Sequence, residues 1–211
     1  KDFKILMKNF NSSNLEENIN SWNTIEEKYN EVYSTLIFPH NSPNWFQNKT
    51  SQLTYFFAML PALSERMQTV FDNADDIANA QIQKFKSINP DFSTNIKVYF
   101  IPSALTFNGR VAALQASPSK YSLIVGVDGI FFWNNDIDVL FAHELFHMYH
   151  FGKASGANFE SKIAAFWTEG LASYYTHKTM PDKSLSQILM DPELGKSCES
   201  SQYVSDLAKK L

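Results

Sequence analysis

Three of the five histidines of this chain fall within eight residues, in the stretch "LFAHELFHMYHF" from Leu140 to Phe151. On a helix, His143 and His147 would project from one face, four residues apart, at a separation that one tetrahedral zinc ion accepts. Glu144 would lie about 100° around the helix axis, where its carboxylate cannot easily join the ion but can reach a water bound to it. Such a carboxylate suits a general base that passes the proton to a leaving amine. The pattern predicts hydrolysis of a peptide or amide bond.

The alternative is that two histidines and a glutamate share a helix by chance. From the His and Glu content of the chain, this pattern should arise in roughly one of two hundred such sequences. The pattern lies within a predicted helix that directly follows a predicted strand. Its other residues are apolar, as a buried active-site helix requires, namely Ala142, Leu145, Phe146 and Met148.

A catalytic zinc ion needs a third protein ligand. One known arrangement has a glycine and then a third histidine after the pair, but His150 and Lys153 occupy those positions. The other takes a glutamate from a following helix. Glu169 lies in the largely apolar "FWTEGLASYY", where a carboxylate is costly to bury unless it is paired or bound to metal. The rival, Glu160, lies at the polar start of that helix, where the helix dipole alone favours an acid, so we favour Glu169.

Together, "HELFH" (His143–His147) and "WTEGLASYY" (Trp167–Tyr175) resemble the gluzincin metallopeptidases, the thermolysin-like clan. The segment "LIVGVDGIFF" before the motif helix and the E-G-L-A form of the second motif are similar to uncharacterised bacterial domains described as zinc proteases. The resemblance covers roughly residues 96–177. It implies one zinc ion per chain, with Glu144 as base and proton shuttle and with three ligands, His143, His147 and Glu169.

The resemblance also implies a zincin-like fold, with an upper lobe of sheet and helices, a lower helical lobe and a cleft crossed by the motif helix. Thermolysin-like members often place an aspartate four residues after the glutamate ligand to orient a histidine. Ser173 holds that position here, so the histidines must be oriented differently. The G-x-M-E-N motif of the clan's aminopeptidases does not occur in the chain, which favours an endopeptidase.

Further candidates follow the two motifs. A Tyr or His beyond the glutamate often stabilises the oxyanion, and Tyr174 and His177 are our candidates, with Tyr175 beside them. Tyrosines on such a helix more often belong to the core. His150 lies one turn beyond the pair and is either a contact near the site or a capping residue at the helix C-terminus.

The elements before the motif change from helical to strand periodicity near residue 90. Apolar residues at spacings of three and four predict a helix from Leu15 to Leu36. After a Pro- and Asn-rich break at Phe38–Trp45, we expect one helix through Phe56 and another from Ser64 to Ser87.

Three segments with a period of two then predict a small mixed sheet. They are Ile96–Pro102, Ala104–Leu114 and Tyr121–Trp133, and Asn108–Gly109 predicts a hairpin turn.

Within the last of these segments, Val125–Ile130 is best placed to serve as an edge strand that binds substrate backbone by strand addition. The alternative is a plain hairpin at Asp128–Gly129.

The motif helix should start at the Asn and Asp residues 134–136 and stop at Gly152. A second helix is expected from Asn158 to Thr179, before Pro181, and the tail from Leu185 is again helical in pattern.

Composition narrows the class of partner. The 211 residues are 44% apolar with a net charge of −4 and no basic stripe, so neither nucleic acid nor an anionic membrane surface is indicated. Cys198 is the single cysteine, so any metal must use nitrogen and oxygen ligands. The apolar run Tyr55–Leu63 is far shorter than the roughly 20 residues of a membrane span. Because the chain begins at Lys1, a removed signal peptide or a trimmed sequence fits equally, and a secreted or periplasmic location is slightly favoured.

We therefore expect an α+β zincin-like structure with a helical N-terminal region (residues 1–92) and a catalytic region (93–211), together one compact two-lobed unit. The expected activity is zinc-dependent cleavage of peptide or protein substrates; the oligomeric state is not determined by the sequence. One alternative is a zincin-like binding or scaffold domain without turnover, in which Glu144 would have no use. Hydrolysis of a non-peptide amide is the other.

Overall fold

The computed structural model describes residues 2–39, 44–115, 117, 119–154 and 161–200 of the chain. These residues form a mixed α+β structure that is mostly helical and contains a small three-stranded sheet. The chain divides into two compact units. The first comprises Lys1–Ala80 and Asn95–Phe132, and the second comprises Gln81–Thr94 and Trp133–Leu211. This division differs from the one at residue 92 that the sequence suggests, since the strands group with the N-terminal helices.

The N-terminal part of the chain is helical, as predicted. Its helices are α1 (Asp2–Asn9), α2 (Leu15–Lys28), α3 (Asn30–Leu36), α4 (Trp45–Asp72) and α5 (Ala74–Ile88). The predicted helix over residues 15–36 is confirmed, except that Tyr29 interrupts it.

The predicted helix start at Ser64 is wrong, because α4 runs through Pro61 and Ser64 without a break and ends at Asp72. A proline inside a helix costs about 3 kcal/mol. The buried side of α4 continues on both sides of Pro61, from Phe56 and Leu60 to Met67, and its packing outweighs that cost. The break between the helices falls at Asn73 instead.

The sheet of the first unit contains β1 (Lys97–Ile101), β2 (Gly109–Ala112) and β3 (Ser122–Gly126), in the order β1-β3-β2. β3 runs parallel to β1 and antiparallel to β2, so the predicted mixed sheet is confirmed. The predicted hairpin at Asn108–Gly109 is wrong, because β2 begins at Gly109 and pairs with β3. The chain before it turns through Ala104 and Leu105, both left-handed at φ 54° and 57°.

The predicted edge strand Val125–Ile130 is also wrong. β3 is the central strand of the described sheet, and the chain passes from Gly126 directly into α6 (Val127–Phe132). The alternative hairpin at Asp128–Gly129 is wrong for the same reason. Asp128 is buried, and its carboxylate accepts the backbone N–H groups of Ser103 at 2.6 Å and Leu105 at 2.5 Å. These bonds hold the start of α6 beside the 102–107 loop.

The second unit contains α7 (Ile137–Lys153), α8 (Lys162–Thr179), α9 (Leu185–Ile188) and α10 (Pro192–Cys198). The predicted motif helix is confirmed: the side chain of Asp136 caps α7, which ends one residue past Gly152.

The second predicted helix is confirmed from Lys162, after the N-cap Ser161, to Thr179, and its expected start at Asn158 lies outside the described residues. The helical tail is confirmed as far as Cys198, and residues 201–211 also lie outside them. None of the helices in the described ranges is long and apolar enough to cross a membrane.

Candidate metal site

The helix α7 holds the two motif histidines in a largely buried setting. Its apolar residues Leu140, Phe141 and Leu145 are buried, and so are His143, Glu144 and His147. The spacing of four residues places both imidazoles on one side of α7, as the sequence predicts.

Glu169 of α8 completes a compact triangle of donor atoms. The Nε2 atoms of His143 and His147 lie 3.0 Å apart, and Oε2 of Glu169 lies 3.1 Å from the first and 3.4 Å from the second. In a tetrahedral zinc site, two ligand atoms are about 3.3 Å apart. The triangle therefore has the size that a zinc ion bound by all three side chains requires.

Among the described residues, the other nitrogen of each ring lacks the hydrogen-bond acceptor that usually orients a zinc-binding histidine. With both Nε2 atoms directed at a common point, Nδ1 would carry the proton in each neutral imidazole. The Nδ1 atoms of His143 and His147 are buried and have no hydrogen-bond partner in the part of the chain that the structure describes. Stacking orients His147 instead, because its ring lies 5.5 Å from that of Phe151 with an interplanar angle of 18°.

The charges of the cluster are strongly coupled. Hydrogen bonds with His143 and then His147 hold the pKa of Glu169 well below its ordinary value. Burial acts to lower the pKa of His147, but the bond to Glu169 and the charges of Glu144 and Glu169 outweigh it, so this pKa is raised. The acidic side chains thus favour positive charge at the donor triangle, whether from a proton or from a metal ion.

The surroundings of Glu169 differ from the expectation. Its side chain is 65% exposed, whereas those of the histidines are 8% and 6% exposed. The expectation that Glu169 lies in a buried apolar segment is therefore wrong. The outer face of α8 is open, and four large apolar side chains are exposed there, Ile163, Phe166, Trp167 and Tyr174.

The inner face of α8 carries small side chains. Thr168, Ala172 and Thr176 are buried and recur every four residues, and α8 packs against α7. Small residues on this face allow the two helices to approach closely, which brings a carboxylate of α8 within reach of the histidines.

The candidates for oxyanion stabilisation do not join this cluster. Tyr174 is exposed, with Lys178 Nζ 5.4 Å from its ring centre. His177 lies two turns, about 12 Å, beyond Glu169 along α8. The ring of Tyr175 stacks on Phe146 at 4.7 Å, as a packing residue would.

His150 is not among the donors that converge in the described part of the chain. His150 is half-buried, its ring stacks on Phe151 and lies tilted against Phe146, and its carbonyl accepts the N–H of Ala154 at the end of α7. Glu160 lies outside the described residues.

Sequence reasoning missed the contribution of residues 81–94. Asn89 Nδ2 donates to Tyr175 Oη at 2.5 Å, and Gln81 Nε2 donates to Asp138 at the start of α7. These contacts link residues that are far apart in the chain, so no local sequence pattern predicts them.

Comparison of the chain with protein-family models, with curated proteins and with solved structures found no match.

Proposed function

We propose that this chain is a zinc-dependent peptidase, an endopeptidase of the gluzincin type with a zincin-like catalytic region. The observation that carries the proposal is the donor triangle of His143, His147 and Glu169, with sides of 3.0 to 3.4 Å. The buried Glu144 beside it supplies the one further group that hydrolysis needs.

The three ligands suit a catalytic ion better than a structural one. Structural zinc sites have four protein ligands, whereas catalytic sites have three and keep one position open. Only three candidate donors converge among the described residues. The exposed side chain of Glu169 leaves this side of the cluster accessible to substrate. Two neutral histidines and one carboxylate would leave a net charge of +1 on the site, which favours an electrophilic role.

A zinc ion held there would polarise a carbonyl group and lower the pKa of a water molecule towards neutrality. Glu144 follows His143 on α7 and is buried, and its charge helps to raise the pKa of His147. It takes the proton of the attacking water and delivers that proton to the nitrogen of the scissile bond. The leaving amine is thereby neutral, and Glu144 returns to its ionised form.

Glu144→Gln tests this proposal, because it removes the base and keeps the shape of the side chain. We expect wild-type protein loaded with zinc to cleave an unfolded protein such as casein. The variant should bind zinc normally and cleave about 10³-fold more slowly. Glu65→Gln, at an exposed position of α4, is the matched control and should cleave at the wild-type rate. Full activity in Glu144→Gln would contradict the mechanism.

If the wild-type protein binds zinc but cleaves neither casein nor a mixed peptide library, a binding or scaffold role replaces the peptidase. Release of ammonia or amine from small amides without peptide cleavage would instead indicate a non-peptide amidase.

A further inference from the structure

Residues 81–94 hold α7 at both ends. At its start, Asp138 accepts a hydrogen bond from Gln81 Nε2 at 2.5 Å and lies 3.7 Å from Lys84 Nζ. At its end, Lys153 pairs with Asp91, which also accepts the hydroxyl of Tyr149 at 3.4 Å. The segment therefore contacts both ends of the helix that carries the two histidines.

The same segment contacts Tyr175 of α8 through the side chains of Asn89 and Phe85. Asn89 Nδ2 donates to Tyr175 Oη at 2.5 Å and to the carbonyl of Phe85 at 3.1 Å. The Tyr175 ring stacks on Phe146 of α7 at 4.7 Å and contacts the Phe85 ring at 5.4 Å. Tyr175 is thus held on its ring face by α7 and at its hydroxyl by the segment.

The position of Tyr175 on α8 gives this contact a consequence for the site. Six residues separate it from Glu169, so the two side chains project about 120° apart around the helix axis. They flank the buried face of α8, which carries the small residues Thr168, Ala172 and Thr176. On the opposite face, Phe166 and Trp167 are each 64% exposed.

Rotation of α8 about its own axis is therefore resisted mainly from one side. A rotation of about 20° would move a carboxylate about 6 Å from the axis by about 2 Å. A metal ligand must lie within about 0.2 Å of its proper distance. The group that stops this rotation decides whether Glu169 reaches the histidines.

We infer that Tyr175 and Asn89 are positioning residues that fix the rotation of α8 and so place Glu169 as the third metal ligand. This inference rests on the proposed zinc site. It assigns the Tyr175 hydroxyl a role in metal affinity.

Tyr175→Phe tests the inference, since it keeps the stacked ring and removes the hydrogen bond. We expect zinc to bind about tenfold more weakly, as measured by competition with a chromophoric chelator. The visible absorption of the Co²⁺ form should also change, because this spectrum reports the ligand geometry. Asn89→Ala should reproduce both effects, and the double variant should be no worse than either single one.

Two controls separate positioning from stability. Tyr174→Phe removes the neighbouring hydroxyl, which is exposed, and should leave zinc affinity and the Co²⁺ spectrum unchanged. Ser161→Ala removes the N-cap of α8, whose side chain accepts the N–H of Ala164. It should lower thermal stability of the metal-free protein at least as much as Tyr175→Phe does, yet leave the Co²⁺ spectrum unchanged.

The inference is overturned if Tyr175→Phe binds zinc with wild-type affinity and an unchanged Co²⁺ spectrum while His147→Ala loses zinc. It is equally overturned if Ser161→Ala weakens zinc binding as much as Tyr175→Phe. In both cases the proposed function stands. If the wild-type protein itself binds no zinc, the proposed function fails and this inference fails with it.

Discussion

Each unit holds a cluster built around an acidic side chain, and the two clusters are organised in opposite ways. In the first unit, Asp128 is fully buried and each carboxylate oxygen accepts a backbone N–H, from Ser103 and Leu105. In the second unit, Glu169 is largely exposed, and its oxygen shares a small triangle with the Nε2 atoms of His143 and His147. The first cluster is closed by the main chain, and the second directs its donor atoms at a common point.

The pKa values of the two acidic side chains are shifted in opposite directions. Burial raises the pKa of Asp128 to about 6, although the two backbone bonds oppose this. The histidines hold the pKa of Glu169 below its ordinary value. The burial of a carboxylate therefore does not by itself indicate whether it can bind a metal ion. The distinction lies in whether its neighbours are fixed donors or side chains that a metal ion can bind.

The largest expected effect concerns the buried ligands of the second cluster. His147→Ala removes one of two donors that the packing of α7 holds in place, and we expect zinc affinity to fall by more than about 100-fold. Chelator competition at neutral pH measures this change. If the zinc affinity of His147→Ala were unchanged, the second cluster would not be a metal site.

Glu169→Gln should have a smaller effect, because α8 carries this ligand on its exposed side and the amide oxygen can still approach the ion. We expect a loss of about 10- to 100-fold. Glu193→Gln, on α10, is the matched control with an exposed glutamate and should bind zinc normally. A larger loss of zinc affinity in Glu169→Gln than in His147→Ala would contradict the expectation that the buried ligand contributes more.

Asp128→Asn tests the closed cluster and should leave zinc affinity unchanged. Because the folded pKa is about 6 and the ordinary value is 3.8, the folded state binds more protons than the unfolded state between these values. The wild-type protein should lose about 3 kcal/mol of unfolding free energy from this group as the pH rises through that window, and none above it.

Urea unfolding of both proteins at pH 4, 5, 6 and 7 measures this contribution. The asparagine variant should lack the decrease, although the lost backbone bond lowers its stability at every pH. Parallel curves for the two proteins would show that Asp128 does not titrate in this range.

The smallest effect is expected on the outer face of α8. Trp167→Gln changes a side chain that is 64% exposed, and the unfolding free energy should change by no more than about 0.5 kcal/mol. Phe141→Ala, at a fully buried position of α7, should cost about 3 to 5 kcal/mol. Similar losses of unfolding free energy in the two variants would mean that the outer face of α8 is covered in solution.

Local patterns explain why the site could be anticipated and parts of the fold could not. The i, i+4 histidines and the capping residue Asp136 are encoded within one helix, so the sequence predicts α7 and the shared face of its two histidines directly. The pairing of β3 with both other strands depends on long-range contacts, so the local sequence does not show that β3 is a central strand. Pro61 inside α4 is likewise tolerated because of packing that the local sequence does not show.

Glu169 lies in the donor triangle, but not because an apolar core surrounds it. Its neighbours are apolar, but they face outward from α8 rather than into a core. Asn89 and Tyr175, which are 86 positions apart, meet only in the folded chain.

The metal content of the purified protein, measured by elemental mass spectrometry, tests the central claim most directly. Wild type should carry about one zinc ion per chain, and so should Asp128→Asn. His147→Ala and Glu169→Ala should carry much less. Absence of bound zinc in the wild type, with no uptake on adding zinc at neutral pH, would contradict the account and leave "HELFH" as an ordinary helical segment.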